Sequence, residues 1–427
     1  MPSKPSRFYK LIYIFEESFP RRGAKVLDKL IFTLAGNRLV YWLVITINAS
    51  RLKRKKHLER FCVLVDVNIG DAVIAEGVAE SIKRIFPESK IDYVVKKSAG
   101  GIVPEGGSIS KVYAVYTNAP FPSKSDVEAV NKILSGGKYD VVFNFCPFIK
   151  KQELSLPERT VVIGYFGLAS SVVMAEKNSK SVSHIAYQMS KFVFDLFSGK
   201  PSFFEFKGPT VSISDESIEE ARRFLDHSGL DAGKQIVFLN PETSSRFTTI
   251  PFEMQLSIIK GIAALDCNLI ISSSHTRDNI QERLFESLPE NYKKRVKIVP
   301  SGMSLSAYSA LIDYSDVFIT GDTGPLHIAS AMKISKSGSF NFRNKTSVFS
   351  VFGATPGRIY GYASETPGFI SANQNASSRV YESGSHLKSM VNINKGKIFC
   401  EDERKFFEGL DVLKLVEDVK MRLLTKD

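Results

Sequence analysis

The sequence predicts an α/β protein with two parallel sheets, each wound like a Rossmann domain, and a cleft between them. Three observations carry this. Short apolar runs rich in Val, Ile and Phe alternate with stretches of helical spacing from Phe61 almost to the C-terminus. That alternation is the mark of βαβ units whose sheets are covered on both faces. A stretch rich in Gly, Pro and Ser, Gly199 to Val211, divides the alternation into two halves. The 427 residues also exceed what one ordinary hydrophobic core organises.

The first half opens with FCVLVDV, Phe61 to Val67, read as a buried strand, followed by the tight turn Asn68-Ile69-Gly70-Asp71. Ala72 to Phe86 then reads as a helix, with Val73, Ile74, Val78, Ile82 and Ile85 at helical spacing and Pro87 closing it. Ile91 to Val95, Lys111 to Tyr116, Tyr139 to Phe145 and Val161 to Phe166 read as strands. Val127 to Leu134 and His184 to Phe197 read as helices.

The second half begins with a helix from Asp215 to His227, with Ser214 as its cap. Ile236 to Pro241 reads as a strand that runs into the polar loop ETSSRFTT. A helix from Pro251 to Leu265, strands at Leu269 to Ser274 and Val296 to Pro300, and a helix from Leu305 to Tyr314 follow. Val348 to Gly353 is the last clear strand, and Glu403 to Leu424 reads as one long amphipathic helix. The expected division is an extension (1–60), an N-terminal domain (61–205), a C-terminal domain (206–400) and a terminal helix (401–427).

Composition narrows the partners. A formal charge of +12 favours an anionic partner. The chain has no RRM-like aromatic signature, zinc-finger spacing or lysine-rich tail, so nucleic acid is not expected. Cys62, Cys146, Cys267 and Cys400 are scattered and read as reduced thiols; with six dispersed histidines and no HExxH, no protein-built metal site is expected. Leu39 to Ile47, with Trp42, is too short to cross a bilayer, which takes about 20 apolar residues. The basic cluster Arg51 to Arg60 follows at once. Together they suit a helix lying on anionic lipid, with a helix packed on the N-terminal domain as the plain alternative. No secretory signal pattern opens the chain, so a cytoplasmic location is expected, peripheral on the inner face of the inner membrane.

The stretch that carries most chemistry is VFITGDTGPLHIASAM, Val317 to Met332. An apolar strand runs into Gly321-Asp322-Thr323-Gly324, and Pro325 is well placed as a first helical residue. Free N–H groups at a helix start, with the positive end of its dipole, make an anion site suited to phosphate or diphosphate. Thr323 adds a hydroxyl and His327 an imidazole one turn in. The bland reading is an ordinary βα turn with Asp322 as the cap and His327 packed inside.

Four blocks give a resemblance to a known family. GDTGPLHIASAM, Gly321 to Met332, is similar to the D-T-G-P-x-H-x-A-x-A block of glycosyltransferase family 9, the ADP-heptose:lipopolysaccharide heptosyltransferases. Asn68 to Val95 resembles the family's N-terminal G-D block. Leu239 to Phe247 resembles its donor phosphate loop, and Val351 to Tyr362 its late strand and loop. Residues 1–60 lie outside the resemblance. Ala75, Glu76 and Gly77 stand where the family has Thr and Pro, a departure that leaves the acceptor and the exact donor sugar open. Lys333 to Ser347 reads as an insertion.

The resemblance implies a GT-B fold and an inverting transfer from a nucleotide sugar, most simply heptose from ADP-heptose to a lipid-linked core oligosaccharide of lipopolysaccharide, without a cofactor. It places the general base on Asp71. It places donor binding on Asp322, Thr323, Gly324 and His327, with Ser244 adding a hydroxyl. The family's phosphate-binding lysine aligns with Thr248, so Arg246 is the candidate cation, since guanidinium matches phosphate oxygens bidentately. Other readings are transfer of a hexose or N-acetylhexosamine, and non-catalytic nucleotide-sugar binding.

Overall fold

The structure, a computed structural model, describes residues 52, 57–65, 68–117, 122–146, 149, 153–157, 159–164, 184–206, 208–245, 247–273, 279–334, 346–355, 357–362, 378–383 and 403–425. The expected lipid-surface helix with Trp42, most of the insertion after Lys333, and Cys400 lie outside these residues.

Two parallel sheets are present. The first contains β1 (Arg60–Leu64), β2 (Lys90–Lys96), β3 (Lys111–Tyr116), β4 (Val141–Asn144) and β5 (Val161–Gly164), in the order β3-β2-β1-β4-β5. Phe61 pairs with Ile91 on one side and Val141 on the other. Its helices are α1 (Ile69–Ile85), α2 (Lys124–Gly137) and α3 (Ile185–Ser198). The sequence puts Asn68 to Asp71 in a turn before α1. The structure makes Asn68 the N-cap and Asp71 part of the first helical turn, its carboxylate accepting the Asn68 N–H at 3.0 Å. An acidic residue there also suits the helix dipole.

The second sheet is entered through α4 (Asp215–Ser228), capped by Ser214, whose side chain accepts the Ser217 N–H. It contains β6 (Ile236–Asn240), β7 (Asn268–Ile271), β8 (Val296–Ile298), β9 (Val317–Gly321), β10 (Ser347–Phe352) and β11 (Arg379–Glu382), in the order β11-β10-β9-β6-β7-β8. Its helices are α5 (Phe252–Ala263), α6 (Ile280–Glu286), α7 (Glu290–Lys293), α8 (Leu305–Tyr314), α9 (Gly324–Ile334), α10 (Gly357–Tyr360) and α11 (Val412–Leu424). The single terminal helix expected from Glu403 is broken: a 3-10 turn covers Glu403–Phe407, Gly409 takes φ +84°, and Asp411 caps α11. Val416 of α11 packs on Gly261 of α5.

Helix α1 serves both halves, which explains why it is apolar around much of its circumference. Ala72, Ile74, Ala75, Val78 and Ile82 join the core of the first sheet with Phe61, Phe143 and Phe206. Val73 instead joins the core of the second, with Phe238, Phe318, Leu326 and Ile328. The α1 helix packs against α9, so the two helices that begin beside the cleft share an interface. Cys62, Cys146 and Cys267 are buried free thiols.

Candidate active site

In both sheets the strand order reverses beside the first strand, between β1 and β4 and between β6 and β9. Ligands of open α/β sheets bind beyond the carboxyl ends of strands at such switch points. The stretch after β1 carries Asp71, the loop after β6 carries Ser244 and Arg246, and the turn after β9 carries Asp322 and Thr323.

The strand ends of the second sheet are tied by a buried polar knot. Asn240 Nδ2 donates to Thr320 Oγ1 at 2.9 Å and to the Glu242 carbonyl at 3.0 Å, and Ser272 Oγ donates to Asn240 Oδ1 at 2.8 Å. The loop after β6 closes on itself. The Ser245 carbonyl accepts the Thr248 and Thr249 N–H groups at 3.0 Å and the Thr243 hydroxyl at 2.8 Å. Ser244 lies exposed on this loop, and Arg246 lies outside the described residues. The loop sits hard against Gly321: a Cβ there would meet the Thr248 carbonyl oxygen at 2.8 Å and Thr243 Cγ2 at 2.9 Å.

Gly321 ends β9 and α9 starts at Gly324, so Asp322 and Thr323 form the whole connection. Gly324 meets α1 closely; a Cβ on it would lie 3.1 Å from Ile69 Cβ and 3.2 Å from the Gly70 nitrogen. This brings Asp322 and Asp71 near enough for their charges to interact. Burial pushes the Asp322 carboxyl up to about 6; the Thr355 hydroxyl pulls the other way, and the Asp71 charge adds to the rise. The Tyr360 phenol feels the same pair: burial first, then Asp322 and Asp71, push it up to about 12.

His327 is buried behind these carboxylates, one turn into α9. Its Nδ1 lies 3.0 Å from the Tyr362 hydroxyl and its Nε2 3.9 Å from Asp322 Oδ1. Burial pushes the imidazole down to about 3, so it is neutral and the contact with Asp322 is not an ion pair. When Tyr362 donates to Nδ1, the remaining proton sits on Nε2, the atom facing Asp322.

His184 completes the cluster from the first half of the chain. Its Nδ1 accepts the Ala186 N–H at 3.1 Å and its Nε2 donates to the Tyr360 carbonyl at 3.3 Å. Its ring lies 4.2 Å from the Tyr362 ring and 6.4 Å from that of His327. Burial, with His327 beside it, holds this imidazole well below the usual histidine range. Sequence reasoning passed over His184, Thr355 and Tyr360 as site residues. The usable signal was the block Val351 to Tyr362, which supplies three aromatic or hydroxyl groups to this cluster. Among the described residues, no group of three or more His, Cys, Asp and Glu side chains is placed to hold a metal.

The arrangement sets a carboxylate at one helix start beside a second helix start, with a hydroxyl-rich loop packed against the turn that leads into that second helix. That is suited to an anionic leaving group on one side and a hydroxyl nucleophile on the other. The family described as glycosyltransferase family 9 (heptosyltransferase) matches residues 127–383. The chain belongs to glycosyltransferase family 9. As a family 9 member it is a glycosyltransferase, and its two parallel sheets are the GT-B arrangement.

Particular relatives agree with this placement. The lipopolysaccharide heptosyltransferase 3 of Escherichia coli is 23% identical over 303 residues, covering 67% of this chain and 81% of that protein. A Haemophilus influenzae protein bearing a glycosyltransferase name is 28% identical over 136 residues, 31% of this chain; the match spans only 38% of that relative's length. The solved structure of E. coli ADP-heptose lipopolysaccharide heptosyltransferase II superposes with a TM-score of 0.58 at 11% identity, covering 86% of this chain and 98% of that one.

Proposed function

We propose that this family 9 enzyme transfers heptose from ADP-heptose to a lipopolysaccharide core oligosaccharide, with inversion. The observation that carries the reading is that the starts of α1 and α9 meet, with Asp71 and Asp322 near enough for their charges to interact. Asp71 is the general base: it takes the acceptor hydroxyl proton as the oxygen attacks the anomeric carbon. The start of α9, with Thr323 and Gly324, holds the departing diphosphate through backbone N–H groups and the helix dipole. Ser244 and Arg246 add a hydroxyl and a guanidinium from the facing loop. Asp322 accepts hydrogen bonds from the donor sugar, and neutral His327 supports that carboxylate from behind. The transfer in this reading needs neither metal nor cofactor, because the helix start and the guanidinium carry the leaving charge.

The names of the E. coli relatives support ADP-heptose and a lipopolysaccharide acceptor. Among the described residues no helix is long and apolar enough to cross a membrane. We place the enzyme at the cytoplasmic face of the inner membrane, held by residues 1–60 on anionic lipid. Calorimetry of ADP, UDP and GDP on the full chain tests the donor. Tight ADP binding that is lost in Asp322→Ala supports the reading; a preference for UDP or GDP moves the donor to another nucleotide sugar.

A further inference from the structure

Glu76 sits in the middle of an apolar stretch of α1, five residues beyond Asp71, and is only 4% exposed. Its carboxylate turns toward the segment that joins the two sheets. Oε2 accepts the backbone N–H of Thr210 at 2.7 Å. Thr210 lies on the segment that carries the chain from the first sheet to the second.

The cores locate the crossing. Phe204 and Phe206 belong to the core of the first sheet. Val211 and Ile213 belong to the core of the second. Between them Gly208 takes φ +108°, in the left-handed region that glycine adopts without strain. Pro209 has no N–H, so the Thr210 amide is the first backbone donor after that glycine. On the near side the chain is pinned by packing: a Cβ on Gly77 would meet the Phe206 ring and Ser190 Oγ at 2.6 Å. On the far side the Ser212 N–H donates to the Ile102 carbonyl at 2.8 Å. The crossing has the features of a hinge, and a buried carboxylate on the helix that carries Asp71 holds it.

We propose that Glu76 is a latch on the interdomain hinge: its carboxylate grips the Thr210 N–H and so fixes the angle at which Asp322 is presented to Asp71. Glu76 is a positioning residue in this scheme and touches no substrate. Burial pushes its carboxyl up to about 7, the Thr210 N–H and hydroxyl oppose the rise, and the Glu80 charge one turn on adds to it. Glu80 is the charged group that acts on it among the described residues; the hinge presents Thr210, and α3 presents the Ser190 hydroxyl against Gly77. The group changes charge near neutral pH, and a neutral carboxyl grips an N–H more weakly than a carboxylate. The latch tightens as pH rises through about 7.

Hydrogen exchange read at the Thr210 amide of the full chain tests this, with rates corrected for the intrinsic pH dependence. In the wild type, protection at pH 8 exceeds that at pH 6 by about tenfold, the scale of one charge-assisted hydrogen bond. Glu76→Leu loses about tenfold at pH 8, and small-angle scattering shows a changed interdomain geometry with each domain still folded. In Glu76→Gln, which serves alone if the Leu variant does not fold, the pH dependence disappears. Wild-type protection that ignores pH, Leu-variant exchange equal to wild type, or a Gln variant that keeps the pH dependence overturns the latch. Exchange needs no sugar donor, so this failure is separate from failure of the donor assignment.

Discussion

Gly70 of α1 lies against His327 of α9 so closely that a Cβ on Gly70 would sit 2.6 Å from the imidazole Cδ2 and 3.3 Å from the Gly324 Cα. The starts of α1 and α9 meet at this contact. The residue before Asp71 touches the ring behind Asp322, without a side chain between them.

Gly70→Ala therefore forces α1 and α9 apart by part of an ångström or displaces the imidazole. The neighbours include backbone, so relief is not free, and overpacking of this kind costs about 1–3 kcal/mol. Thermal denaturation will show the lower stability. Turnover falls further than the stability loss explains, because Asp71 and Asp322 are displaced relative to one another.

The Asp322 carboxyl titrates at about 6 in the folded chain against 3.8 when unperturbed. A raised carboxyl pKa means the folded state binds more protons than the unfolded chain between these values, so stability falls as pH rises from about 4 to about 6. Asp322→Asn removes that cost. The variant should be more stable than wild type by about 1–3 kcal/mol at pH 8, with the difference vanishing below pH 4. Denaturant unfolding at the two pH values measures it, and donor affinity should fall in the same variant. In the proposed role of Asp322 this is the common trade of stability for function.

Tyr362→Phe keeps the ring that packs at a tilt against His184 and removes the hydroxyl 3.0 Å from His327 Nδ1. The buried Nδ1 then lacks this partner, which costs about 1–3 kcal/mol. The imidazole is also freed to turn away from Asp322. Urea unfolding should report the loss, and donor affinity should weaken while the pH dependence of turnover stays in place.

Much of the architecture was legible because parallel strands are buried on both faces and leave continuous apolar runs, as at Phe61 to Leu64 and Val317 to Thr320. The strand-to-helix connection around Asp322 was legible because so short a turn takes small residues such as Gly321 and Gly324. β11 was not, because Arg379–Glu382 is four residues long, only partly buried and carries charge at both ends. The contact of Glu76 with Thr210 was hidden because the two lie 134 residues apart. His184 was read only as the start of a helix. Its contact with Tyr362 exists only once the two domains are placed together, and no local periodicity records it. The break in the last helix was missed because the apolar spacing runs on through Gly409, whose left-handed backbone interrupts the helix.

The most direct test is glycosyl transfer by the full chain compared with Asp71→Asn, with donor affinity measured on the same two proteins. Removing a general base costs about 10²–10⁴-fold in turnover while leaving donor binding alone. Turnover lowered on that scale, with donor affinity within about threefold of wild type, is the predicted result. Turnover within tenfold of wild type in Asp71→Asn would contradict the account, since the carboxylate at the start of α1 would then not be the base.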